Sequence, residues 1–302
     1  IACGCGQIKI VKLLLNDKRI EINKENDDGW TPFYIACENG HIEIVKLLLN
    51  DERVDINKAL NSGVASFYIS CQKGHVEIVK LLLNDKRIDV NKAADGDWTP
   101  FYAACQEGQI GIVKLLLNDE RVDINKSNSY GVTPFYLACS KGNIEIVKLL
   151  LNDKRIDVNK PDNYGWTPLY IVCEQGHVEI VKLLLNDERV DISLANNADA
   201  TPFYFACFFG HLEIVEYILI SGREVNLNSK FNGKTIINIT REVENIVRSS
   251  WETIERFQKR KQNCLKIVEL LESFERNPNE TRFKLKLKLG EVGKLKLLFL
   301  SN

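Results

Sequence analysis

An all-α solenoid of stacked helix-turn-helix repeats with short β-hairpin tips is the fold class this sequence predicts, and two periodic columns carry that expectation. Asp17, Asp51, Asp85, Asp119, Asp153 and Asp187 each open a segment Asp-x-Arg-(Ile/Val)-(Asp/Glu)-(Ile/Val), at a constant step of 34 residues. Cys3, Cys37, Cys71, Cys105, Cys139, Cys173 and Cys207 keep the same step. Six full units thus fill 17–220 after a partial one at 1–16, and a period of this length marks a repeat architecture. A single unit cannot bury its own apolar face, so neighbours must stack in a quasi-one-dimensional array.

Each element follows from the residues of one unit, taking 17–50. Asn26-Asp27-Asp28-Gly29 is turn chemistry. Thr31-Pro32 starts a helix, with Thr as cap and Pro at the first helical position. Phe33, Ala36 and Cys37 share one buried face at i, i+3, i+4 spacing. Asn39-Gly40 ends that helix, because Gly takes the left-handed conformation without steric cost. His41-Ile42-Glu43 opens a second helix with the apolar stripe Ile44, Val45, Leu47 and Leu48 and an outward Glu43–Lys46 pair. Asn50-Asp51 closes it, both being residues that tolerate the left-handed region. A second period lies inside the first: Lys18, Glu52, Lys86, Glu120, Lys154 and Glu188 alternate, as do Trp30, Val64, Trp98, Val132 and Trp166, so the array reads as duplicated two-unit blocks.

These residues resemble the ankyrin repeat, over roughly residues 1–276. The family pattern Thr-Pro-Leu-His-x-Ala stands here as Thr31-Pro32-Phe33-Tyr34-Ile35-Ala36, followed by Gly40-His41 and Leu47-Leu48-Leu49. It recurs at Thr99-Pro100, Thr133-Pro134, Thr167-Pro168 and Thr201-Pro202. Tyr replaces the family His, the unit is one residue longer than usual, within the Asn-Asp-x-Arg stretch, and Ala65-Ser66 replaces Thr-Pro, which weakens that helix start. The resemblance implies a non-catalytic scaffold that binds a partner through its concave face and hairpin tips.

The C-terminal end departs from the pattern. Gly233 and Thr235 keep their columns, which makes 221–276 a capping unit. Gly29 to Ile44 is a step of 15 residues, whereas Gly233 to Ile267 is 34, so a 19-residue insertion (roughly 241–262) is expected to lengthen the helical hairpin. Cys264 to Leu271 restores the second helix. In the Lys/Leu-rich tail at 277–302, the alternation from Phe283 to Leu289 suggests a strand rather than a helix. Membrane contact through 279–302 is one reading, and a frayed tail is the preferred one.

Composition narrows the function classes. The net charge of −1 divides as −6 over the first 240 residues (26 Lys/Arg, 32 Asp/Glu) and +5 beyond (14 against 9), which gives no reason to expect nucleic acid. No apolar run is long enough to span a membrane, and no signal peptide is visible. With no methionine and an opening Ile-Ala-Cys inside a helix column, the chain reads as a fragment lacking its N-terminus, and the array is then alternatively the targeting arm of a larger enzyme. The periodic cysteines fall on the buried face, too far apart for disulfides, and behave as small apolar groups in a reducing, cytoplasmic setting. His41, His75, His177 and His211 share a column with Gln7, Gln109 and Asn143, which cannot replace a general base or a zinc ligand, so they read as helix-start polar contacts. No catalytic motif is present, and neither metal nor cofactor is expected.

Columns that vary between near-identical units are those the stack does not demand, and are therefore open to recognition. One set is the turn pair and the residue after the turn: Asp27, Asp28, Tyr130, Tyr164, Trp30, Trp98 and Trp166. The other lies at the end of the first helix: Gln72, Lys73, Gln106, Glu107, Ser140, Lys141, Glu174, Gln175, Phe208 and Phe209. Trp and Tyr are favoured anchors for a protein partner. The competing reading packs each Trp on a neighbouring hairpin and Phe208-Phe209 on the cap. A monomer binding another protein is the expectation.

Overall fold

The computed structural model describes residues 1–231, 233–242 and 253–291. Two compact units divide the chain, Ile1–Asp157 and Val158 onward.

In the first, α1 (Ile8–Asn16) precedes four helix pairs: α2 (Pro32–Glu38) with α3 (Ile42–Leu49), α4 (Ser66–Lys73) with α5 (Val76–Leu83), α6 (Pro100–Gln106) with α7 (Ile110–Leu117), and α8 (Pro134–Ser140) with α9 (Ile144–Asn152). First helices pack in one row, α2 on α4 on α6 on α8, and second helices in another, α1 through α9. The second unit holds α10 (Pro168–Gln175) with α11 (Val178–Leu185), and α12 (Pro202–Phe208) with α13 (Leu212–Ile220). A two-stranded ribbon follows, β1 (Lys230–Phe231) with β2 (Lys234–Thr235), then α14 (Ile236–Arg241), α15 (Ile254–Arg276) and α16 (Pro278–Lys288). Stacked helix pairs make this an all-α repeat fold.

The caps act as their residues require. Thr31, Thr99, Thr133, Thr167 and Thr201 each accept a hydrogen bond from the backbone N–H three residues on, with Pro next in the chain. At Gly40 (φ +74°) the chain leaves α2, and the His41 N–H reaches back to the Ala36 carbonyl at 2.9 Å. Ala65 gives α4 no side-chain cap, and the Ser66 hydroxyl is buried without a partner among the described residues. Ala65→Thr with Ser66→Pro is therefore expected to raise stability by about 1–2 kcal/mol. A urea melt checks this, and an unchanged midpoint would refute the capping account.

Several fixed columns prove to be staples between repeats. Asn23 donates to the Arg53 carbonyl (2.7 Å) and accepts from the Asp55 N–H (2.8 Å), and Asn57, Asn91, Asn125 and Asn159 repeat both bonds. Asp51 holds the Arg53 guanidinium by two bonds (2.9 and 2.5 Å), and Arg53 then donates to the Leu15 carbonyl at the end of the preceding second helix. Arg87, Arg121 and Arg155 do the same to Leu49, Leu83 and Leu117, placing a cation where a helix exposes its last carbonyls. This is what the Asp-x-Arg stretch does. Asn50 keeps right-handed helical geometry and Asp51 is not left-handed; among the described residues the left-handed non-glycine ones are Asp97 and Asp199, both in tips. The helix closure therefore relies on the Arg staple and not on a left-handed Asn-Asp pair.

The tips are turns more than hairpins. Asn26 accepts from the N–H groups of Asp28 (3.1 Å) and Trp30 (2.8 Å), and Asn128, Asp162 and Asn196 do likewise in their tips. Where Leu60 and Ala94 lack such an acceptor, isolated bridges Ala59–Ala65 and Ala94–Trp98 form instead.

At the C-terminal end, Thr235 caps α14, while α15 runs 23 residues against eight for α3. The middle of the insertion, 243–252, and the terminal Leu297-Leu298-Phe299-Leu300 lie outside the described residues. The Lys/Leu stretch is a helix, neither strand nor frayed tail. Asn277 caps it ahead of Pro278, and Thr281 and Leu285 are buried against its neighbours α13 and α15. Alternation of period two also repeats every four residues, so a helix can bury Thr281 and Leu285 while Phe283 and Leu287 face outward. Arg282 donates to the Leu219 carbonyl (3.0 Å), and Lys288 pairs with buried Glu216 (2.5 Å), which stands where the earlier units carry Lys.

Candidate binding surface

The histidine column is structural, but not as helix-start contacts. None caps its helix. The Nε2 of His41, His75 and His211 bonds instead to the carbonyl of Gly4, Glu38 and Glu174, at 2.8–3.0 Å, in the preceding repeat. Gln109 and Asn143 do the same to Gln72 and Cys105, which explains why the column tolerates amides. Burial pushes the Cys37 thiol up to about 12 and Cys139 further, so these groups stay neutral and are poor nucleophiles. All nine cysteines are free, and no group of three His, Cys, Asp or Glu among the described residues is placed to hold a metal.

The variable columns lie on tips and first-helix ends. Tyr130 and Tyr164 stand out at 63% and 65% exposure. Asp27, Asp28, Lys73, Glu107, Lys141 and Gln175 are exposed; Gln72, Gln106, Ser140 and Glu174 are half-buried. Trp30, Trp98 and Trp166 are half-buried. Each lies on the Tyr of its own unit that replaces the family His, with centroid separations of 6.1 Å to Tyr34, 5.3 Å to Tyr102 and 4.5 Å to Tyr170. Such pairs hold the indole in a fixed orientation.

Phe208 and Phe209 join an aromatic cluster centred on Phe205, which also meets Tyr170 (4.6 Å) and Phe231 (5.7 Å). Beside Phe209 opens a crevice of about 690 Å³, walled on its far side by Arg256, Lys259, Arg260 and Asn263 of α15. The sequence reading did not single out these four. Their signal was the charged run from Glu255 to Lys261, taken only as part of an insertion.

Helix pairs stapled repeat to repeat, with side chains of varying type on tips and helix ends, define a repeat protein of the binding-module class. The chain belongs to the ankyrin repeat family: the family's three-repeat description, "Ankyrin repeats (3 copies)", matches residues 1–94, 67–162 and 156–229. Among solved structures, the ankyrin repeat domain of Bcl-3, described as a unique member of the IkappaB protein family, is similar with a TM-score of 0.65. That likeness, at 20% identity, covers 80% of this chain and 100% of that one, and is one of fold. No curated protein matches the sequence. Ankyrin repeats are in general protein-binding modules and typically non-catalytic. No helix among the described residues is long and apolar enough to cross a membrane.

Proposed function

We propose that this chain is a non-catalytic, monomeric scaffold that holds a protein partner on its hairpin tips and first-helix ends, the concave face of its repeats, in a reducing, cytoplasmic setting. The observation that carries the reading is the tilted Trp–Tyr ring contact within each of these units. An indole pinned by an adjacent ring offers a large, rigid, half-exposed surface whose ordering cost was met on folding. Tyr130 adds exposed aromatic area on an intervening tip and Tyr164 adds it beside Trp166 on the same tip, and the variable residues at the helix ends supply specificity. The nine free thiols support the compartment.

The test is a quantitative pull-down comparing the wild type with Trp30→Ala/Trp98→Ala/Trp166→Ala. Anchors of this type are worth about 1–2 kcal/mol or more each, so the triple variant is expected to lose its partners by at least about tenfold. Equal capture by a folded triple variant would remove the tips from the binding face.

A further inference from the structure

We propose that the Trp30 and Trp98 tips of the first compact unit bind arginine side chains of a basic, extended segment of the protein partner. The inference rests on the reading of the tips as a binding face and adds the chemistry of what they hold. Both indoles are only half-buried, each set against the Tyr of its own first helix. Both are preceded by exposed carboxylates, Asp27 and Asp28 in one tip and Asp95 and Asp97 in the other.

The alternate repeats supply an internal control. In this unit the same slot holds Val64 and Val132, and there the charge reverses. From the fixed Lys to the residue after the turn, 24–30 carries a net −2 and 92–98 a net −1, while 58–64 and 126–132 each carry +1. Block duplication alone does not account for the pairing of acid with Trp. Asp27 and Asp95 share a column, but Asp28 corresponds to Gly96 and Asp97 to Gly29. Charge is kept beside the indole while its place in the turn changes.

The fold makes little use of these carboxylates. Asp27, Asp95 and Asp97 have no side-chain partner among the described residues, and Asp28 takes one long bond from Asn26 (3.4 Å). Glu25, the other acid of the first tip, is occupied by Lys58 (3.1 Å). Helix initiation does not require them either, since α8 starts on its Thr133 cap behind Ser129 and Tyr130. At the Trp166 tip the one acid, Asp162, is already spent on the Tyr164 and Trp166 N–H groups (2.9 Å each).

An aromatic ring beside free carboxylates recognises a cation. Arginine fits better than lysine, because its planar guanidinium stacks on a ring and takes a carboxylate by two parallel bonds. The two tips lie two repeats apart, roughly 16–20 Å at the usual helix-packing distance. An extended chain covers that span in about five or six residues.

The experiment titrates the full chain, 15N-labelled at its indoles, with a Gly/Ser peptide bearing two arginines six residues apart, and follows the indole N–H signals by NMR. The Trp30 and Trp98 signals are expected to shift and Trp166 to stay, with weaker binding as salt rises. A lysine twin of equal charge is expected to bind at least about threefold more weakly. Asp27→Asn/Asp28→Asn/Asp95→Asn/Asp97→Asn is expected to cost at least about fivefold in affinity with the thermal melt unchanged. No shift with the arginine peptide, equal binding by the lysine twin or by the Asn variant, or the full shifts from free arginine at the same concentration would each overturn the assignment, the last making each tip an isolated cation site. The Asn variant keeps every Trp. If it captures partners as the wild type does while the triple Trp variant does not, the tips remain the binding face and only the arginine chemistry falls.

Discussion

Between pH 8 and pH 10, with a reductant present, the helical signal of this protein is expected to collapse, because its core is lined with thiols. Burial raises Cys37 to about 12 and Cys264 to about 11, drives Cys71, Cys105, Cys139, Cys173 and Cys207 well upward, and raises Cys3 as well, eight groups in all. In the unfolded chain each ionises near its ordinary value of about 8.5. Stability that depends on the neutral thiol is thus complete below about pH 8.5 and drains away as pH climbs toward the folded-state value. Above pH 8.5 each thiol costs about 1.4 kcal/mol per pH unit, so the set removes on the order of 10 kcal/mol by pH 10. That matches the whole stability of an ordinary domain. Burial also raises Tyr34, Tyr102 and Tyr204 to about 12 from an ordinary value near 10, so they contribute only above the thiol window. Circular dichroism during a pH titration reads the effect directly. Cys105→Ala/Cys139→Ala removes two of the five raised repeat thiols in the first compact unit and should shift its alkaline transition upward. If the wild type stays folded past pH 10.5, or the variant unfolds at the same pH, the thiol account is wrong.

Phe135→Ala is expected to cost about 3–5 kcal/mol, the range for truncating a fully buried aromatic ring. Phe135 is 1% exposed and belongs to the column Phe33, Phe67, Phe101, Leu169 and Phe203. Each repeat contacts only its neighbours, so the damage should stay local. Hydrogen exchange is expected to show lost protection in α6 through α9 and little change in α2 and α3. A loss spread evenly over Ile1–Asp157 would mean that this unit unfolds as one block and not repeat by repeat.

Most of the fold was legible because a repeat reads itself out many times. Thr-Pro starts, Gly ends and the Ile-Val-x-Leu-Leu stripe each follow from local rules that hold within a dozen residues. The errors came where one local rule admits two outcomes. The Lys/Leu run satisfies both a two-residue and a four-residue period, and only the bare face of α13, with Glu216 and the Leu219 carbonyl waiting, selects the helix. The histidines looked like helix-start groups because their partners, 37 residues earlier, are invisible to local reading.

The candidate surface divides the same way. Column variation marked the Trp, Tyr and helix-end positions, since a residue that changes between identical scaffolds is not serving the stack. Nothing in the order of residues placed Arg256 and Lys259 opposite Phe209, which lies about fifty residues earlier.

By itself, then, the sequence determined the repeat, its helix pairs, its buried thiol ladder and the family, since all of these are set by short-range periodicity. The tertiary structure alone decided which conserved-looking columns are staples, which way the indoles lean, and that a basic crevice exists. Those outcomes depend on groups tens of residues apart meeting in space, and no local spacing encodes that meeting.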